Sequence, residues 1–300
     1  MTRYLKSVDR RILSLVLGLV LIWFVVLWGL PNSKAVVADY AAFTFLGVIG
    51  AIFANATGAG GGVVFIPAFE QLEFTHSQAI ATSFAIQCMG MTSGSIAWSR
   101  FQACQSSANS TYDWGLFWPI IGFVSTFSIA GIWLAYAGNW HAPASLTLSF
   151  AWFSLILGAA ICASSIWLPN RNGEAELHWW DWLAMAVIGL VGGVITAWLS
   201  VGVGEILAIY LILRRFQVTL AVACAVVISA LTVWSGLPQH AWLKPQVYWQ
   251  VVLFAGPGAI FGAILARKLA TRLPVRQLKL FFGLWVLIMG AASLANAAAH

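Results

Sequence analysis

Two glycine-rich interruptions carry the sequence's clearest chemical signal. Thr57-Gly-Ala-Gly-Gly-Gly62 and Ser200-Val-Gly-Val-Gly204-Glu205 each lie between a long apolar run and a short one. Glycine permits backbone conformations closed to other residues, so a helix is expected to break at each. The short runs that follow, about 62–72 and 204–214, would each be only ~15 Å long as a helix, half a bilayer. A helix that begins inside a membrane presents free N–H groups and a partial positive charge, which favours an anion. No Lys or Arg lies in the middle of any apolar run. An anion would therefore be held by backbone N–H groups of Gly58, Gly60, Gly61, Gly62, Gly202 and Gly204, helped by Asn55, Thr57, Thr82, Ser83, Gln87 and Ser200. Small residues in membrane helices more often serve close packing. What favours a binding site is that the break occurs twice, each time ahead of a half-length helix.

Glu205 is the one carboxylate expected deep in the membrane. The other eight (Asp9, Asp39, Glu70, Glu73, Asp113, Glu174, Glu176, Asp181) map to loops or span ends. A carboxylate at depth is costly and a functional candidate. It is either a proton-coupling site or a first-turn acid stabilised by the helix dipole; if ionised, it competes with an anion for the same helix end. His76 and His240 fall at span ends without a paired group, and Cys88, Cys104, Cys162 and Cys224 have no CxxC spacing. No metal site, cofactor or disulfide framework is read from them.

The elements that must position these residues are membrane helices. The chain of 300 residues is 61% hydrophobic and 8% charged, against about 25% charged in a soluble domain. The net charge of +6 does not indicate nucleic acid, because the basic residues sit in short loops between apolar runs. Runs of ~20 residues suited to crossing as helices fall near 11–30, 38–59, 76–99, 114–137, 144–167, 181–200, 217–236, 247–267 and 278–297. The first follows Arg3, Lys6, Arg10 and Arg11, and is too long for a cleaved signal peptide. Alternating nine spans from a cytoplasmic N-terminus puts eleven of the 15 Lys and Arg inside and the C-terminus outside. Tryptophans near span ends (Trp23, Trp28, Trp98, Trp114, Trp118, Trp179, Trp180, Trp182, Trp249) read as an interfacial belt.

Shifted by 142 positions, the sequence matches itself without a gap. Asp39 falls on Asp181, and Gly47, Gly50, Gly60 and Gly62 fall on Gly189, Gly192, Gly202 and Gly204. The expected fold is thus an all-α polytopic membrane protein of nine transmembrane helices. Two four-helix repeats (38–168 and 181–297) each hold a Gly-broken helix plus a half-length helix. They are joined by a loop at 169–180 and preceded by a basic segment and an extra helix at 1–37. An even number of spans per half implies halves of the same orientation; if the half-length pieces change the count, the halves are inverted instead.

Gly58-Ala-Gly-Gly-Gly62 with Pro67, and Ala79-Ile-Ala-Thr-Ser83, resemble the TauE/SafE family of sulfite exporters. So do Gly202-Val-Gly-Glu205 with Ala221, and Gly256-Pro-Gly-Ala-Ile-Phe-Gly262 with Ala266-Arg-Lys268 and Pro274. The resemblance covers about 38–297. It implies a permease for sulfite or organosulfur anions in the cell (inner) membrane, with Gly58, Gly60, Gly61, Gly62, Thr82, Ser83, Gly202, Gly204 and Glu205 lining the pathway. Departures are Ser200 and Val203, where that family often has Gly, and Ala223-Cys-Ala225 in place of Ala-Thr-Ser. The expected function is a secondary transporter, an exporter of a small sulfur oxyanion, without a GxxxxGKS nucleotide motif. The alternatives are a permease for another small anion and a non-transporting assembly or thiol factor. An intramembrane enzyme would need a nucleophile–base pair or metal ligands at depth, and the chain has no such set. Expected partners are the anion and membrane lipid; a homo-oligomer is compatible with the sequence.

Overall fold

The computed structural model describes residue 18 and residues 21–107, 114–141, 145–167, 177–272 and 275–299. Arg3, Lys6, Asp9, Arg10, Arg11, Asp113, Arg171, Glu174, Glu176 and Pro274 lie outside the described residues, as does most of the connecting loop. Every described element is helical. The chain divides into two units, Met1–Ala42 and Phe43–His300. In the first, α1 (Leu21–Trp28) and α2 (Ser33–Tyr40) meet at 115° across a turn in which Asn32 is left-handed (φ 60). The expected span 38–59 is therefore shorter than predicted: α2 ends at Tyr40, and a new helix starts at Phe43.

The second unit holds α3 (Phe43–Thr57), α4 (Gly62–Gln71), α5 (His76–Ser107), α6 (Phe117–Ala137), α7 (Leu146–Trp167), α8 (Trp179–Leu199), α9 (Val203–Leu213), α10 (Val218–Pro238), α11 (Trp249–Arg272) and α12 (Val275–Ala299). Both glycine-rich segments break the helix where the sequence predicts. Gly58 ends α3 with φ 82, and Ser200, its match 142 positions on, ends α8 with φ 58. This left-handed residue after the last helical turn is a common helix stop. α5 starts on a reciprocal cap: the Thr75 N–H donates to Gln78 Oε1 (3.2 Å) and the Gln78 N–H to Thr75 Oγ1 (3.3 Å). Three pairs of helix ends, Thr57 and Leu199, Gln71 and Leu213, His76 and Val218, keep the offset of 142. Among the described residues, four helices are each long and apolar enough to cross a bilayer: α6, α8, α10 with the π-helical turn Gln239–Leu243 after it, and α11; counting the bent pair α1 and α2 as one span makes five.

The half-length helices fold back on their predecessors. Val203, at the start of α9, lies beside Gly192 of α8, and Arg214, eleven residues later, pairs with Asp181, eleven residues earlier. α9 is thus antiparallel to α8. In the same way, Phe65 packs on Gly50 and Phe69 approaches Phe43 (ring centroids 6.4 Å apart), so α4 returns along α3. The two hairpins point in opposite directions. α3 runs with α5, since Ala51 meets Gly90 and Asn55 meets Gly94. α5 runs against α10, with Ser95 bonded to Val226 and Trp234 to Thr92. α10 runs with α6 through the pairs Ser128–Thr232 and Tyr136–His240. α6 runs with α8 through Phe123–Trp182 and the Trp198 indole bonded to the Trp140 carbonyl. Each half-length helix thus doubles back on its predecessor instead of continuing its direction.

Glycines set the closest helix contacts. A Cβ on Gly47 would collide with the Ala255 carbonyl and one on Gly258 with the Thr44 carbonyl, joining α3 to α11. Gly193 meets the Ser128 carbonyl and Gly131 the Leu190 carbonyl, joining α8 to α6. Trp98 and Trp114, expected in the interfacial belt, are instead buried; the Trp98 indole N–H donates to the Asn55 carbonyl (3.0 Å) and tethers the end of α3. Trp28, Trp118, Trp179, Trp180 and Trp249 are exposed.

Gly193→Leu should drive a side chain into α6 and destabilise the fold by about 1–3 kcal/mol or more. It is expected to lower Tm and broaden the gel-filtration peak in detergent. Gly122→Ala on α6, where no atom lies within 4 Å of the added methyl, should leave both unchanged.

Candidate functional site

The two hairpin tips lie side by side at the centre of the second unit. A Cβ on Gly62 would strike the Ser200 carbonyl, and one on Gly204 would strike the Gly58 carbonyl. These are one contact seen twice, because Gly58 and Ser200 are matched positions, as are Gly62 and Gly204. Two backbones can approach this closely only where no side chain intervenes, which is the demand the repeated glycines meet.

The tip amides are not free. The Gly60 N–H donates to Glu205 Oε1 (2.5 Å) and the Gly202 N–H to Glu205 Oε2 (2.8 Å), so one carboxylate links the two tips. The Gly61 N–H donates to Gln87 Oε1 (2.8 Å). Gln87 Nε2 donates to Ser200 Oγ (2.8 Å), the Ser200 carbonyl (3.0 Å) and Ser83 Oγ (3.0 Å), and Ser200 Oγ bonds Ser83 Oγ (3.0 Å). A methyl on Gly60 would sit 3.1 Å from Gln87 Oε1, 3.2 Å from Glu205 Oε1 and 3.3 Å from the Ser200 carbonyl. Glu205 is 3% exposed and Gln87 2%. The expectation of unpaired amide ends is thus corrected: a buried N–H without a partner is costly, and in this closed arrangement Glu205 and Gln87 accept those bonds.

Of the sequence-predicted residues, Gly60, Gly61, Ser83, Gln87, Ser200, Gly202 and Glu205 join this network, while Gly58, Gly62 and Gly204 form the tip contact. Thr82 does not join it. Its hydroxyl accepts the Tyr248 N–H (3.0 Å), because the residue next to Ser83 on a helix points about 100° away. Thr57 is local: Oγ1 donates to the Phe53 carbonyl (2.7 Å) and accepts the Ala59 N–H (3.3 Å). Asn55 donates to the Ala51 carbonyl (2.9 Å), and its buried Oδ1 accepts no hydrogen bond.

Two cavities of about 10 Å³ flank Gln87. One is bounded by Asn55, Gly61, Phe65 and Met91, the other by Gly60, Thr196, Ser200, Gly202, Glu205 and Ser229. Each has room for about one water. Thr196 and Ser229 are site residues that sequence reasoning missed. Thr196 lies one helical turn before Ser200, and its Oγ1 accepts the Val203 N–H (3.2 Å). Ser229 stands 142 positions after Gln87, the signal that could have found it.

Asp181 lies in the first turn of α8, the span end expected from the sequence, and is 2% exposed. It accepts from Arg214 Nε (2.5 Å) and Nη2 (2.8 Å), Tyr210 Oη (2.6 Å) and the His178 N–H (2.8 Å). A bidentate Arg–carboxylate pair of this kind is geometrically demanding. It clasps the open end of the α8–α9 hairpin and so fixes where Glu205 sits.

Comparison with curated proteins and with solved structures returns no match. Residues 43–293 match the family model described as sulfite exporter TauE/SafE. That match spans both hairpins and every residue of the tip network, so the chain belongs to the TauE/SafE sulfite exporter family, a family of membrane transporters.

Proposed function

We propose that this protein is a secondary transporter that exports a small sulfur oxyanion, such as sulfite or an organosulfonate, across the cell membrane. The anion is bound where the hairpin tips meet. The observation that carries this reading is the convergence of backbone N–H donors from two broken helices on one buried point, without a fixed cation. Hydroxyl and amide groups of Ser83, Gln87, Ser200, Thr196 and Ser229 complete the donor set. Donors built into a dry site are worth more than the same groups in water. The flanking cavities are water-sized, so the tips must part to admit an anion. Rocking of the hairpins against the long helices alternates access to the two sides.

The same reading gives a topology of two inverted halves. Each has a fold-back hairpin (α3–α4, α8–α9) followed by three crossings (α5–α7, α10–α12), with the N-terminal segment 1–42 as an addition. The basic residues support it. From residue 43 on, Arg100, Arg171, Arg214, Arg215, Arg267, Lys268, Arg272, Arg276 and Lys279 fall on one face by chain order, and Lys244 alone falls on the other. That bias is steeper than nine alternating spans produce, and it assigns the Arg-rich face to the cytoplasm and the C-terminus to the outside. Glu205 is the proton-coupling group: its release of the tip amides on protonation links opening to a proton.

Two measurements test these statements. In a background lacking Cys104, Arg100→Cys and Arg215→Cys should react with an impermeant maleimide only from the cytoplasmic side, and Lys244→Cys only from outside. Labelling of residues 100 and 244 from the same side would overturn the topology. In proteoliposomes, labelled sulfite or a sulfonate from a panel of sulfur anions should move at least about 10-fold faster than through protein-free vesicles, a difference of ~1.4 kcal/mol in barrier. Glu205→Gln should flatten the dependence of flux on pH. No flux for any sulfur anion defeats the transport reading, and an unaltered pH profile defeats the proton role.

A further inference from the structure

We propose that the Glu205 carboxylate is an internal stand-in for the transported anion, holding the empty transporter shut by occupying the donors that the substrate takes when it binds. This rests on the reading of the hairpin tips as the transport site, and adds what fills that site between cycles. An acid at the third position of a helix reaches back to its own N-cap N–H in a capping box. Glu205 divides its two oxygens: Oε2 accepts the Gly202 N–H of its own tip, while Oε1 crosses to the Gly60 N–H of the opposite tip. The result is an oxyanion bridging two tips through two oxygens, a geometry that sulfite, a sulfonate or a carboxylate can equally present. Among the described residues, ion pairs join His178 and Arg214 to Asp181 and none reaches Glu205. Backbone dipoles, the groups that would neutralise a substrate, are what face its charge.

In the closed arrangement there is space for one of the two anions. The cavity beside Glu205 is about 10 Å³, room for about one water and not for an oxyanion alongside the carboxylate. A substrate reaches the Gly60 and Gly202 amides only when Glu205 leaves them. The stand-in is also single. The position matching Glu205 in the first tip is Val63, so one carboxylate serves both tips and one substrate anion displaces it.

The test removes the carboxylate and supplies another from solution. Glu205→Ala, purified in detergent, should gain roughly 5 °C in Tm with saturating formate, while wild type, whose donors are already filled, gains none. In Glu205→Gln, nearly isosteric, the amide nitrogen cannot accept from a tip N–H, so one donor is released. Its sulfite Kd, followed by tryptophan fluorescence, should be at least about 10-fold tighter than that of wild type. If Glu205→Ala is folded and formate does not raise its Tm, or if Glu205→Gln binds sulfite no better than wild type, the proposal is overturned. Should Glu205→Ala not fold, the Glu205→Gln affinity decides alone. Neither readout involves flux, so a wild-type protein that fails to move sulfite would sink the transport reading while the formate shift still reports on the stand-in.

Discussion

The structure depends on how closely two backbones can approach inside a membrane. Gly62 against the Ser200 carbonyl and Gly204 against the Gly58 carbonyl are contacts with no room for a methyl group. They let two helix tips, arriving from opposite directions, lie alongside each other. Everything at the site follows from that adjacency. Glu205 of one tip reaches Gly60 of the other, and Gln87 on α5 reaches Gly61 on one side and Ser200 on the other. Irregular backbone at membrane depth is tolerated only where protein or a cavity surrounds it. Here it is surrounded by the other break.

Polar groups in this core are organised to leave few donors unmet. The Val203 N–H is taken by Thr196 Oγ1, the Gly202 and Gly60 N–H groups by Glu205, and the Gly61 N–H by Gln87. An unpaired amide in hydrocarbon costs several kcal/mol, so a tip assembled from glycines alone would be expensive to keep closed. Side chains that supply acceptors lower that cost, and side chains can move. The acceptors therefore serve as the closure of the two tips. The Asp181–Arg214 clasp lies at the other end of the same hairpin and joins α9 to α8 there.

The two halves are alike in frame and unlike in chemistry. Helix ends keep their offset, and glycine contacts join α3 to α11 as others join α6 to α8. Yet Gln87 is matched by Ser229, Ser83 by Ala225 and Glu205 by Val63. The long polar side chains come from single copies and reach across to the other half's tip. A symmetric frame thus carries an asymmetric lining.

Much of this was legible in the residue order. Apolar run lengths marked most of the described helices to within about five residues, since a lipid solvent demands continuous apolar stretches, though α5 runs on to Ser107 where the apolar run ended at 99. The repeated glycines marked both breaks, since glycine most readily permits such backbone and such close approach, and the lone deep acid marked Glu205. What the order could not decide was direction. A half-length helix after a glycine break can continue across or turn back with the same composition, and only the packing of Val203 on Gly192 and of Phe69 on Phe43 chose the return. That choice left the two hairpins pointing in opposite directions. It also set which groups meet: Gln87 with Ser200, Glu205 with Gly60 and Asp181 with Arg214 are pairs made by tertiary contact. Local sequence specifies where a helix starts and stops, because those forces act over a few residues. The partner of a buried donor is settled by which other chain segment arrives beside it, and that is a property of the folded whole.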